Sequence, residues 1–326
     1  MEIFNPHSTI DFLRLRKFSI AISALLVLLA LGAMISRPLN YGLDFTGGVL
    51  VDAAYAQPVE VGEVRDTLEA AGYKAQVQSV GGAHEVAIRL QNGAGPTRKA
   101  SADAAAASQS KLKGDQLAMD VMAVLKAKRQ DVSLKNTAFV GPQVGEELKS
   151  DGITAVIFVI LGIMIYIGIR FEWRFAVAAI ASEIHDTLIT VGFYALTQHE
   201  FDITVLASVL AVVGYSINDK VVVFDRVREL FRSSRKAEPV DVLNKAINST
   251  LSRTIITALF TAITMVALYF FGGPVVHGFA LTMLIGIVIG TLSSIFFASP
   301  ILLWLGVSKK DLMPVTRDNP ELARRP

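Results

Sequence analysis

Asp219 stands in VGYSINDKVVVF (213–224), inside an apolar run long enough to cross a bilayer as a helix. A carboxylate there costs roughly 2.5–3.5 kcal/mol on insertion scales. Such a group faces a bundle interior, pairs with a cation or carries protons. Arg253 opens the next apolar run and supplies a cation. Tyr215, Asn218, Asp219 and Val222 recur at spacings of three and four, so they share one helical face. On the following segment Thr250, Thr254, Thr257, Thr261 and Thr264 do the same, with Arg253 one turn before Thr257. The two segments are antiparallel, which places Asp219 and Arg253 at similar depth and allows a pairing. Two readings stand: a structural salt bridge with Arg253 snorkelling to the interface, or a titrating carboxylate. Burial would raise its proton affinity and the guanidinium would lower it.

A second polar group lies one segment earlier, at Glu183, His185 and Asp186. Glu183 and Asp186 are three apart and share a face, and Asp186, Thr187 and Thr190 point into similar space. Two carboxylates and one histidine, with no second histidine nearby, fall short of a metal set. A polar seam or wet cavity is the expected use, with no metal and no cofactor.

These residues need a membrane bundle to hold them. The 326 residues are 52% hydrophobic, which excludes an ordinary soluble enzyme. A net charge of +2 without any basic stripe gives no reason to expect nucleic acid. The absence of cysteine removes disulfides, thiolate zinc sites and thiol catalysis. Neither a Walker A sequence nor a dinucleotide fingerprint is present, so any work must draw on an ion gradient or a partner.

Six apolar segments predict six transmembrane helices: Phe18–Ser36, Gly152–Ile169, Phe175–Leu196, Ile203–Phe224, Thr254–Phe271 and Gly278–Leu305. The first is too long for a cleaved signal peptide. Arg14, Arg16 and Lys17 precede it; Arg170 and Arg174 follow the second segment. Arg226, Arg228, Arg232, Arg235, Lys236 and Lys245 follow the fourth, and Lys309 and Lys310 the sixth. The links 197–202 and 272–277 hold no lysine or arginine. Both termini are therefore expected in the cytoplasm, with the 37–150 region exported. The expected divisions are a cytoplasmic N-terminus (1–17), the first span (18–36), a periplasmic domain (37–151), spans two to six (152–305) and a cytoplasmic tail (306–326).

The exported region predicts a small α+β domain. Gly48–Gln57 reads as a strand, and a helix from Pro58 carries Val61, Val64, Leu68 and Ala71 on one face. Lys74–Val80 and His84–Leu90 read as a hairpin turning at Gly81-Gly82. A second helix over about Asp115–Arg129 and a strand at Val132–Val140 complete a β-α-β-β-α-β order, the ferredoxin-like split motif. Asn92–Gly114, rich in Gly, Ala, Ser, Lys and Pro, predicts a flexible insertion. In the last span Gly278, Thr282, Gly286, Gly290 and Ser294 form a small-residue stripe for close helix packing. Phe224–Phe231 predicts either an interfacial amphipathic turn or a solvated loop.

Taken together, GLDFTGG (42–48), FVGPQVGEEL (139–148), RFEWRFA (170–176), VGYSIND (213–219), VVVFDR (221–226), TLSRTIITA (250–258) and GTLSSIFFASP (290–300) resemble the SecD/SecF family of protein-export membrane proteins, specifically its SecF members. The likeness runs over roughly residues 18–306 in the expected order. It implies membership of the resistance-nodulation-division superfamily of proton-driven membrane proteins. It also implies pairing with a separate six-span SecD to make a twelve-span unit. Further implied partners are the SecYEG channel, YajC, preprotein substrates and membrane lipid. The implied activity is use of the proton-motive force in late preprotein translocation, with no enzymatic reaction. The family's proton-linked Asp and Arg fall on Asp219 and Arg253, with Tyr215, Asn218, Asp186, Thr254 and Thr257 as the supporting polar face. Two residues depart from the pattern: Lys220 where a small hydroxyl residue is expected, and Glu183 where the position is more often apolar. Two alternatives stand beside this reading. A stand-alone transporter of the same superfamily would need twelve spans. An intramembrane aspartyl protease would need Asp219 and Asp186 as a carboxylate pair, but the protease-like GxGD sequence is absent.

Overall fold

A computed structural model describes residues 9–80, 82–91, 106–233 and 238–308. A 3-10 turn at Phe12–Leu15 leads into α1 (Arg16–Ser36). Then come β1 (Asn40–Tyr41), α2 (Leu43–Thr46), β2 (Gly48–Tyr55), α3 (Val61–Ala70), β3 (Ala75–Ser79), β4 (Glu85–Gln91), α4 (Ala106–Lys128) and β5 (Val132–Val140). The remainder is helical: α5 (Pro142–Arg170), α6 (Trp173–Thr197), a short strand β6 (Glu200–Phe201), α7 (Ile203–Ser233), α8 (Pro239–Phe271) and α9 (Pro274–Ser293). A π-helical turn over Ser294–Ala298 joins α9 to α10 (Ser299–Trp304). Six of these stretches are long and apolar enough to cross a membrane, the last running through the π turn.

Strands β2 to β5 form one sheet in the order β3-β4-β2-β5, every neighbouring pair antiparallel. Alternation puts Val49, Val51, Ala53 and Tyr55 of β2 on one face. Val64 and Leu68 of α3 and Val121, Met122 and Leu125 of α4 cover that face and close a core. β5 is bulged opposite Asp52/Ala53. The hairpin is present, although Gly81 lies outside the described residues.

The expected insertion needs correction at one end. Residues 92–105 lie outside the described residues, but Ala106–Gly114 is the first part of α4 rather than a loop. Its alanines and lysines are strong helix formers, and the apolar face beginning at Leu117 anchors the helix they extend.

The segment after the fourth span is also corrected. It is neither turn nor solvated loop; α7 continues to Ser233. Phe224, Val227, Leu230 and Phe231 recur at helical spacing and pack on Val242, Leu243, Ala246 and Ile247 of α8. α8 therefore starts at Pro239, well ahead of Thr254. α5 likewise starts at Pro142 rather than Gly152, and α5, α8 and α9 each open on a proline, where the missing N–H costs nothing.

The sheet is joined to the bundle through GLDFTGG. β1 pairs in parallel with β6, Asn40 opposite Glu200 and Tyr41 opposite Phe201. Asp44 Oδ2 accepts from Ile203 N and so caps the start of α7. Phe45, Tyr194, Phe201, Val205 and Val209 make a small core at this end. Arg89 of β4 reaches across to an ion pair with Glu200. Burial raises the Glu200 carboxyl above its ordinary range; Arg89 opposes this, and the nearby Asp202 and Asp44 add to it. A raised value means that the docked state binds the proton more tightly. Docking is therefore strongest below the free carboxyl's range and weakens as pH rises through the raised one. Hydrogen-exchange protection over residues 198–202, corrected for the intrinsic pH dependence of exchange, should fall as pH rises through the raised carboxyl range, and Glu200→Gln should abolish that fall.

Two helix crossings depend on glycine because nothing larger fits. A Cβ on Gly192 of α6 would lie 2.3 Å from Ala30 Cβ and 2.7 Å from Ala30 Cα of α1. A Cβ on Gly286 of α9 would lie 2.2 Å from Val212 Cγ2 of α7. The small-residue stripe of the last span is thus its packing face: Gly278 meets Val205, Gly286 meets Val212 and Gly290 meets Ser216. Because the Gly192 obstacle includes backbone, Gly192→Val should push α1 off the bundle. Overpacking of this kind costs about 1–3 kcal/mol, read as a lower thermal unfolding temperature in lipid nanodiscs.

Candidate functional site

The site sits where α6, α7 and α9 cross. The approach of α7 to α9 follows from Gly286 and Gly290, which let Val212 and Ser216 come close. That brings Ser216, Asp219 and Lys220 of α7 into the centre, all of them buried. α6 contributes Ser182, Glu183, His185 and Asp186 from the other side, also buried.

Lys220 is 0% exposed, and its ammonium is the hub. Nζ donates to Glu183 Oε2 at 2.8 Å, to Asp186 Oδ2 at 2.8 Å and to Ser216 Oγ at 2.7 Å. Three donors meet three acceptors, so the ammonium is fully satisfied. Asp186 Oδ2 also accepts from Ser216 Oγ at 2.7 Å and Ser293 Oγ at 2.6 Å. Its Oδ1 lies 2.8 Å from His185 Nδ1. The imidazole stacks on Phe297 in the π turn, ring centroids 4.1 Å apart and planes inclined by 20°. The π turn places Phe297 over the histidine while Ser293, at the end of α9, reaches the carboxylate; such turns are frequent at functional sites.

The expected site residues divide into two groups. Asp219 is buried, and its Oδ2 has no hydrogen-bond partner. Arg253 and Thr257 on α8 and Asn218 on α7 are exposed, Tyr215 is half-buried and Thr254 buried. Among the described residues no ion pair joins Asp219 to Arg253, so the pairing that their depth allowed is not made within this chain. The threonines of α8 spend hydroxyl bonds on their own helix: Thr257 Oγ1 donates to Arg253 O at 3.0 Å and Thr261 Oγ1 to Thr257 O at 2.8 Å. Asp186 is not part of that face; it belongs to the Lys220 cluster.

Sequence reasoning missed the cluster as a unit. Spacing alone places Glu183 with His185 and Asp186 in a polar seam, but it leaves Lys220 as an isolated departure from the pattern. The available signal was spacing: Glu183 and Asp186 three apart on one span, Ser216 and Lys220 four apart on the next. A Lys and two carboxylates inside adjacent spans must find one another, because each is prohibitive alone. The same contacts count against the protease alternative. Asp186 is held by an ammonium, two hydroxyls and an imidazole rather than paired with Asp219.

Residues 120–308 match the family described as protein export membrane protein SecD/SecF, C-terminal, and residues 32–59 match the SecD/SecF GG motif. A relative in Pseudomonas aeruginosa named protein translocase subunit SecF is 41% identical over 309 residues, covering 94% of each chain. One of the same name in Escherichia coli O157:H7 is 38% identical over 305 residues, covering 93% of this chain and 90% of the relative. A crystal structure of SecDF from Thermus thermophilus, described as a translocon-associated membrane protein, superposes with a TM-score of 0.78 at 33% identity. That likeness covers 93% of this chain but only 39% of the solved one, so this chain spans well under half of that protein. The six apolar helices, the motifs along the chain and relatives matched over nearly their whole length agree: the chain belongs to the SecD/SecF family of protein export membrane proteins, among its SecF subunits.

Proposed function

We propose that this chain is the SecF-type half of a proton-driven unit that helps preproteins complete their passage across the bacterial inner membrane. The relatives are translocase subunits, components of transport rather than enzymes. The observation that carries the proposal is the uncovered face of α7 and α8. Asn218, Arg253 and Thr257 point away from their own chain, with the unpartnered carboxylate of Asp219 buried beside them. Phe260, at 65% exposed, and Phe270, at 72%, continue this bare surface along α8. A charged residue left facing lipid is costly; a SecD-type partner seated there would enclose Arg253 and complete the bundle. Asp219 is then the proton-binding group and Arg253 its tuning cation, with Tyr215, Asn218, Thr254 and Thr257 as the polar surround. SecYEG, YajC and the preprotein are the further partners of the assembly.

The ferredoxin-like domain of β2–β5, α3 and α4 stands on the periplasmic side, and both termini face the cytoplasm. Support for this orientation is the arginines Arg226, Arg228 and Arg232 in the last turns of α7, with Arg235 and Lys236 after them, and the lack of lysine and arginine in the links 197–202 and 272–277. Purification of the tagged chain from native membranes tests the reading. A SecD-type subunit should co-purify in equal amount, and blocking α8 by Thr257→Trp should release it. Recovery of the chain alone, stable and export-competent, would refute the pairing.

A further inference from the structure

The Lys220 cluster carries two carboxylates and one ammonium deep inside the helix bundle. Glu183 and His185 are each 6% exposed, and Asp186 and Lys220 0%. An uncompensated charge at such depth is expensive, and buried groups answer by taking up a proton instead. The other charges facing the cluster do not repair the balance. α7 adds Asp219 beside Lys220, and α8 adds the exposed Arg253. α5 offers Ile160, Ile163 and Met164 toward Glu183. α1 offers the Ser19 and Ser23 hydroxyls, and α9 that of Ser293. Carboxylates still outnumber cations by one.

Two atoms are placed to take the missing proton. Glu183 Oε1 and His185 Nε2 are buried and have no hydrogen-bond partner. Glu183 accepts from Lys220 through Oε2 only, which leaves Oε1 free to be protonated. His185 lies against the Asp186 carboxylate through Nδ1, so an ionised Asp186 fixes the hydrogen on Nδ1 and leaves the Nε2 lone pair open. Protonation at Nε2 would make an imidazolium held by Asp186 and stacked on Phe297. Each end of the cluster also opens on a cavity. Glu183 lines one of about 170 Å³ between α5 and α6. His185 and Ser293 line another of about 330 Å³ between α1, α6 and α9.

We propose that Glu183, Lys220, Asp186 and His185 form a second proton-binding site, separate from Asp219 and Arg253, which holds one exchangeable proton on Glu183 Oε1 or His185 Nε2. Lys220 and Asp186 keep their charges; the proton sits at one end or the other, each facing its own cavity. The claim concerns proton occupancy of this chain and stands whether or not the chain drives export.

The test uses the full chain in lipid nanodiscs, with Asp219→Asn and Arg253→Met together in every sample, so that the excess of one carboxylate is kept and the remaining buried acid chemistry belongs to the cluster. Infrared spectroscopy reads the protonated-carboxyl band, and 15N-histidine NMR reads the imidazolium. At neutral pH the parent should show one proton, as one signal or shared between the two. Glu183→Gln keeps the shape and the bond to Lys220 but equalises the charges, so both signals should vanish. His185→Asn should leave the proton in place, now entirely as protonated carboxyl. A Glu183→Gln spectrum equal to the parent's, or a parent with ionised carboxylates and a neutral imidazole, would overturn the proposal. Should Glu183→Gln not fold, the parent and His185→Asn spectra decide between the same outcomes.

Discussion

Lys220→Met is expected to lower the stability of the bundle by about 3–5 kcal/mol, the usual consequence of removing one partner from a buried ion pair. Methionine matches the length and apolar stem of lysine, so little packing is lost and the effect isolates the charge. Glu183 and Asp186 would each lose a donor at 2.8 Å, and Ser216 one at 2.7 Å. Ser293, Ser216 and His185 would still hold Asp186, whereas Glu183 would have no other hydrogen bond. Glu183→Gln in the same chain should therefore restore much of the loss, because an uncharged amide can stay buried where a lone carboxylate cannot. Thermal unfolding of the parent, both single variants and the double variant in nanodiscs gives the coupling directly. Additive single effects would show that Lys220 and Glu183 do not act as a pair.

That network marks where reading the chain one segment at a time stops. The spans, the VGYSIND and TLSRTIITA faces and the packing stripe of the last helix are all local patterns, and periodicity exposes them. Lys220 lies 37 and 34 positions beyond Glu183 and Asp186, on a different span, and meets them where α6, α7 and α9 cross. No periodicity within one segment encodes that meeting. The extension of α7 is legible in Phe224, Val227 and Phe231, which keep helical spacing, although the interleaved arginines point to solvent. The start of α4 carried a weaker signal, since Ala106–Gly114 has propensity but no face to bury. Arg253 is a different case. Depth alone put it level with Asp219, yet its side chain faces outward, because what a helix presents to a neighbour depends on which neighbours the chain itself supplies.

Replacing Asp219, the proposed proton-binding group, is expected to uncouple export from the gradient. One charge crossing 100 mV carries about 2.3 kcal/mol, which corresponds to roughly fiftyfold in a rate limited by the coupled step. Asp219→Asn preserves size and hydrogen bonding and cannot ionise. The variant should fold, assemble with its SecD-type partner and pass preprotein at the rate seen without a gradient. Arg253→Met should fail in the same way, since the carboxylate would lose its tuning cation and remain protonated; Arg253→Lys should keep part of the response. The deciding measurement is the rate of completed preprotein export into membrane vesicles with and without an imposed proton gradient, with assembly checked on the same vesicles. A gradient-dependent acceleration is expected in the parent and none in Asp219→Asn. An Asp219→Asn chain that responds to the gradient as fully as the parent would contradict this expectation and leave Asp219 with a structural role.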